Sequence, residues 1–203
     1  MKKIELEQNT PEWLKWRVQH VTATDAPKIL NLDQWTGIHD HWMKKMGFIE
    51  PEPANEAMKR GSLLENEARQ LLSKQLNIDF NPMVIESSQF PWMGASLDGI
   101  SRLFGSICEI KCMKLQKHLQ VSKDTIDPCH YAQMQHQLAC THASIVYYVS
   151  YHPDAPDPLT VIRIYPDDEY IKNMIEKEKE FYFETMCNME PTQDSWKLKQ
   201  KVR

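Results

Sequence analysis

The sequence predicts an α/β domain, and three observations carry that expectation. Two short apolar runs, MGASL and SICEIKC, flank a connection containing Gly99 and Gly105 and read as neighbouring strands. Between residues 56 and 76, Leu64, Ala68, Leu71, Leu72 and Gln75 recur at helical spacing, with Leu63 and Leu76 adding to the apolar side. Two further strand patterns, SIVYYVSYH and LTVIRIY, then run into a long helical pattern after Asp167.

Taken in order, Thr10-Pro11 is a helix start, a capping hydroxyl followed by proline at the first helical position. Trp13, Leu14 and Val18, with Trp16 beside them, form its expected buried face, and Arg17 lies near its end. In VTATDAPKIL, Thr22 or Thr24 is expected to cap a second helix running to about Leu32. A helix follows from Gly37 to Gly47, then IEPEPANE as a loop before the helix over residues 56–76. Met83–Ile85 is a strand candidate, and residues 115–121 continue as helix, with Lys114, Lys117, His118 and Lys123 as a small basic cluster. Pro128 opens the helix CHYAQMQHQLACTHA, whose buried side is read as Tyr131, Met134, Leu138 and Ala139. Asp167, Asp168 and Glu169 suit the first turn of the last helix.

The 203 residues, 41% hydrophobic, suffice for one core, read as a domain over 1–190 with a basic tail over 191–203. No apolar run reaches the roughly 18 residues of a membrane span. The start MKKIELEQ turns acidic too soon for a secretory signal. Five cysteines without a CxxC pair fit reduced thiols, so a cytoplasmic setting is expected. His136 and Cys140 stand four apart on one helix, but the paired-ligand spacing of a zinc site is missing. A net charge of −4 argues against a surface coated in DNA-binding charge, without excluding a channel of local positive charge.

The chemistry centres on residues 92–112. Asp98 closes the first strand of the pair, and Glu109 and Lys111 lie in the second. Side chains alternate along a strand, so Glu109 and Lys111 share a face and Ile110 points away. If the strands are neighbours, two carboxylates and an ammonium converge. Oxygen ligands of that kind hold a hard divalent ion, and the ammonium can orient a water or neutralise developing charge. The alternative is an Asp-Gly turn beside a solvated Glu-x-Lys pair. Interleaving with Ile107, Cys108, Ile110 and Cys112 makes this strand too apolar for that. Glu65 is a further carboxylate at the margin of its helix's apolar stripe. Gln133, Gln135 and Gln137 offer amides, one of which could reach a scissile phosphate or water. Arg17, beside a hydroxyl-bearing helix start, would suit a terminal phosphate.

The order Arg17…VTAT, RGSLLENEA, MGASLDG, CEIKC, HYAQMQHQL resembles the phage lambda-type exonucleases of the PD-(D/E)xK superfamily, over roughly residues 10–185. The resemblance implies a restriction-endonuclease-like core, a central mixed β-sheet flanked by helices. It assigns Asp98, Glu109 and the carbonyl of Ile110 to catalytic Mg2+, two ions by the family pattern, with Mn2+ able to substitute. Glu65 matches the third acidic residue and Lys111 the water-activating lysine. Gln135, or as the alternative Gln133, matches the glutamine beside it. Arg17, Thr24 and Ser96 fall where the family holds a 5′-phosphate. Two departures stand out: Leu97 replaces the proline before the aspartate, and Thr24 replaces a serine. The implied activity is 5′-to-3′ degradation of linear duplex DNA by a homotrimeric ring in a phage-infected or prophage-bearing bacterium. It leaves a 3′ single strand for an annealing protein. The rival expectations are an endonuclease of the same superfamily and a non-catalytic DNA-binding protein that kept the fold.

Overall fold

A computed structural model of the chain describes residues 1–49, 56–122 and 125–186. Most of the IEPEPANE loop, Lys123, Cys187 and the basic tail lie outside the described residues. The strands are β1 (Lys2–Ile4), β2 (Val21–Thr22), β3 (Phe80–Glu86), β4 (Met93–Ser101), β5 (Ser106–Cys112), β6 (Ile145–Tyr151) and β7 (Leu159–Ile164). They form one seven-stranded mixed sheet in the order β1-β3-β4-β5-β6-β7, with β2 pairing on β4. The helices are α1 (Pro11–Gln19), α2 (Ala26–Ile29), α3 (Ile38–Lys45), α4 (Glu56–Leu76), α5 (Leu115–His118), α6 (Pro128–Thr141) and α7 (Asp168–Met186). The expected α/β class and flanked mixed sheet are what the chain adopts.

Two pairings are parallel, β2 with β4 and β5 with β6. Parallel neighbours need a crossover, and the β5–β6 connection supplies one that carries α5 and α6. One sheet face buries Leu97, Ile100, Ile107 and Tyr148 with Met134 and Leu138 of α6 and Met174 of α7. The other buries Phe80, Cys108, Ile110 and Val149 with Ala68 and Leu72 of α4. These positions alternate along β5, so the strand is buried on both faces and Glu109 sits in the middle of it.

The helix predictions need several corrections. In α1, Thr10 Oγ1 accepts the Trp13 N–H as predicted, but Trp13 and Trp16 are the buried pair. Leu14 and Val18 are 54% and 52% exposed, because the inward stripe runs one residue round from them. In α4, Ala68 and Leu72 carry the packing while Leu63 stands 81% exposed. Helix α2 ends at Ile29, short of Leu32, and its N-cap residue is Asp25 rather than either threonine. Helix α5 ends at His118, which is buried and bonded to Ser150 Oγ and the Asp157 carbonyl. His118 therefore leaves the basic cluster, whereas Lys114 and Lys117 are exposed. His136 is buried between Glu178 of α7 and the Gly94 carbonyl, so it is not free for zinc. Among the described residues no helix is long and apolar enough to cross a membrane, and Cys108, Cys112, Cys129 and Cys140 are free.

Candidate active site

A bulge in β4 sets the site. Asn81 pairs with Ile100 and Met83 with Leu97, so Asp98 and Gly99 stand against the single residue Pro82. Proline has no N–H to donate, and bulges are one of the few places a sheet tolerates it. A Cβ on Gly99 would meet Cys108 Sγ at 2.7 Å and Phe80 Cβ at 2.9 Å, so only glycine fits there. The β4–β5 ladder pairs Ile100 with Ile107 and Gly99 with Cys108. At the next step the Asp98 carboxylate, not a carbonyl, accepts the Ile110 N–H at 2.7 Å. The bulge thus re-aims Asp98 onto β5.

Glu109 is 2% exposed, and both its oxygens are engaged. Oε1 lies 2.6 Å from Lys111 Nζ, and Oε2 accepts from Gln137 Nε2 at 2.6 Å. Lys111 also donates to Gln133 Oε1 at 3.1 Å. Glu109 and Lys111 both reach side chains of α6 while Ile110 packs on the α4 side, the alternation read from the sequence. Arg69, one turn after Glu65, donates to Glu65 Oε1 at 3.0 Å and to the Asp98 carbonyl at 2.9 Å. That single guanidinium ties the third carboxylate to the bulge.

The electrostatics show mutual proximity. Burial, then Glu109, then Glu65 push the Asp98 carboxyl well above its ordinary value. Glu65 is also raised, by burial and by Glu109, against the opposing pull of Arg69. Burial alone would lower Lys111, but Glu109, Asp98 and Glu65 outweigh it and raise it. Lys111 is therefore a held ammonium. Three carboxylates around one such cation make a site that a divalent ion would relieve.

Gln135 does not join them. Its Nε2 donates to the Tyr165 carbonyl and its Oε1 accepts the Asp167 N–H, both at 3.0 Å. Two residues along a helix turn the side chain about 200°, so Gln133 and Gln137 share the face over β5 and Gln135 faces the β7–α7 loop. The spacing of the three glutamines held that signal, since positions four apart stack and the one between cannot.

The residues read as a phosphate pocket form a second cluster. Arg17 Nη2 donates to Thr24 Oγ1 at 2.7 Å, and the guanidinium lies 4.5 Å over the Trp13 ring. Trp13 Nε1 in turn donates to Ser96 Oγ at 2.7 Å, so Ser96 joins through Trp13. Among the described residues no carboxylate pairs with Arg17. Beneath it, Lys45 Nζ donates to Asp25 Oδ2 at 2.6 Å and to the Arg17 carbonyl at 2.9 Å. His41 Nε2 lies 3.2 Å from Asp25 Oδ1. Lys45 and Arg69 escaped the sequence reading of the site, and Trp13 was read only as part of a buried face, because tertiary contacts bring them to it. For Arg69 the Glu65–Arg69 spacing of four was a usable signal.

Residues 12–144, which hold both clusters, match the family model described as the YqaJ-like viral recombinase domain. The chain belongs to that family. Among solved structures, this YqaJ-like protein is similar to an alkaline exonuclease (LHK-Exo) from Laribacter hongkongensis, at 25% identity and a TM-score of 0.77. The match covers 95% of this chain and 98% of that one. The LHK-Exo complex with dAMP matches at 26% identity and a TM-score of 0.78, with the same coverage. A phage-related exonuclease from Haemophilus somnus 129PT shares the fold, at 13% identity, a TM-score of 0.64 and coverage of 83% and 96%. No curated protein matches the YqaJ-like chain.

Proposed function

We propose that this protein is a metal-dependent deoxyribonuclease that degrades linear duplex DNA from its 5′ ends and leaves 3′ single strands. The observation that carries the proposal is the convergence of Asp98, Glu109 and Glu65 around Lys111, with Asp98 raised by burial and then by Glu109 and Glu65. Membership of a viral recombinase family and likeness to alkaline exonucleases support a nuclease.

The donor set is all oxygen, which fits Mg2+ or Mn2+. Asp98, Glu109 and the Ile110 carbonyl would hold it, with Glu65 beside them. Among the described residues no three acidic, His or Cys side chains already stand in ligating geometry. Lys111 and Gln137 hold Glu109's two oxygens, so a dication would take the place of Lys111 on Oε1. Bound divalent ions, two by the family pattern, would activate water and offset charge on the scissile phosphate. The chain's own part is positional. The Ile110 N–H fixes Asp98, Gln137 fixes Glu109, and Gln133 steers the Lys111 ammonium. A protonated Lys111 orients the attacking water and faces the charge that builds on the phosphorus oxygens.

Arg17, Thr24 and Ser96 favour the exonuclease reading over an internal cutter. A guanidinium held by a hydroxyl and an indole, with no carboxylate partner among the described residues, suits the extra charge of a phosphate monoester. The ring trimer, the annealing partner, the bacterial cytoplasmic setting and the 1–190 domain with its basic tail rest on the family likeness and sequence reading. The test is digestion of linear duplex with Mg2+, with excess chelator, and by Asp98→Ala. We expect cleavage only by the native chain with metal, and undiminished cutting by Asp98→Ala would remove the site.

A further inference from the structure

The end-phosphate reading leaves a buried network below Arg17 unexplained. Thr22 sits in β2 and is 2% exposed. Asp25 Oδ2 accepts from the Thr22 N–H at 2.8 Å, from Thr22 Oγ1 at 2.9 Å and from Lys45 Nζ at 2.6 Å. Thr22 Oγ1 also lies 3.3 Å from Thr24 Oγ1, and Thr24 Oγ1 accepts from Arg17 Nη2.

These contacts admit one direction. Three donors around a carboxylate paired with an ammonium leave Asp25 acceptor only. Thr22's single hydroxyl proton is therefore committed to Asp25, so Thr24 must be the donor between the two hydroxyls. Arg17 has donors only, which places a Thr24 lone pair toward the guanidinium. The order is Arg17 to Thr24 to Thr22 to Asp25, each donating to the next. Lys45 closes the far end, neutralising Asp25 while holding the Arg17 carbonyl.

We propose that Thr22, anchored on the Asp25–Lys45 pair, is a positioning residue that fixes the Thr24 hydroxyl and, through it, the Arg17 guanidinium for a terminal phosphate monoester. This rests on the end-phosphate reading and adds its specificity device. A threonine can exchange its hydroxyl and methyl by rotating about one bond. Without an inner acceptor the Thr24 Oγ1 loses its preference for the orientation that tethers Arg17. The pocket then meets its ligand unorganised, which weakens binding without touching the metal-binding carboxylates.

Thr22→Val keeps shape and volume while deleting the hydroxyl, and Thr22→Ser keeps the hydroxyl while deleting a methyl. KM and kcat are measured on linear duplexes that differ only in a 5′-phosphate or 5′-hydroxyl, with circular dichroism confirming the fold. The native chain is expected to favour the phosphorylated end. Thr22→Val should lower that KM preference about five- to tenfold, the scale of one lost hydrogen-bonded link, and Thr22→Ser should restore most of it. A Thr22→Val chain that keeps the full preference overturns the positioning role and leaves the end-phosphate site standing. Equal losses in both variants assign the effect to packing and overturn it as well. A native chain with no preference for the phosphate removes both the pocket and this device.

Discussion

Gln133 and Gln135 should separate catalysis from stability. Gln135 is fully buried, and both ends of its amide serve the backbone where β7 turns into α7. Gln135→Ala strands the Tyr165 carbonyl and the Asp167 N–H and opens a cavity besides. Each lost partner costs on the order of 1 kcal/mol or more, so about 2–4 kcal/mol in all. For a chain of this size that is a fall of roughly 5–15 °C in Tm. Gln133 is only partly buried, and its Oε1 accepts from Lys111. Gln133→Ala should shift Tm little but lower kcat roughly tenfold or more, as loss of an orienting group does. Thermal melts and turnover at saturating DNA and Mg2+, both below the lower Tm, decide the matter. A stable Gln135→Ala chain that loses turnover as Gln133→Ala does would refute the geometry of α6.

Three further outcomes follow from particular contacts. Lys111→Ala should bind DNA ends yet lose at least about 10²-fold in kcat; retained turnover with lost end binding would make Lys111 a substrate contact only. A Cβ at Gly94 would meet the Trp16 ring at 2.5 Å and the Ile85 carbonyl at 3.2 Å. Gly94→Ala should thus cost roughly 1–3 kcal/mol in a urea melt, and an unchanged midpoint would show that α1 yields freely. Burial alone would raise the Asp25 carboxyl, but Lys45 and His41 outweigh it and hold it well below the ordinary value. A depressed native value means that the contribution to stability is complete above about pH 4, the unfolded carboxyl's range, and is lost as pH falls from there through the lower native value. Urea midpoints against pH should show that acid limb, and Asp25→Asn, weaker at neutral pH, should flatten it.

The sequence placed the side chains of β5 better than the elements packed around them. Alternation along a strand is a rigid rule, so Glu109, Ile110 and Lys111 fell on the faces expected of them. The bulge at Asp98 and Gly99 was invisible, because it exists only against Pro82 on the neighbouring strand. Strands β1 and β2 span three and two residues, too short for any periodicity, and form because β3 and β4 offer them partners. Leu14, Val18 and Leu63 misled because hydrophobicity marks a candidate for burial, whereas the neighbouring element decides which candidates are covered. Gln135 was chosen by motif likeness where helix geometry favoured its neighbours. His118 looked like surface charge, and only the fold brings Ser150 and the Asp157 carbonyl to its ring.

The central claim, end-directed hydrolysis at the Asp98–Glu109–Lys111 site, meets its most direct test in one incubation. Three duplexes of the same sequence are used: linear with 5′-phosphates, linear with 5′-hydroxyls, and closed circular. Acid-soluble nucleotide release is followed in Mg2+. We expect fastest release from the phosphorylated linear duplex, slower release from the hydroxyl-ended one, and survival of the circle. Rapid cutting of the closed circle would contradict that claim and make this protein an endonuclease.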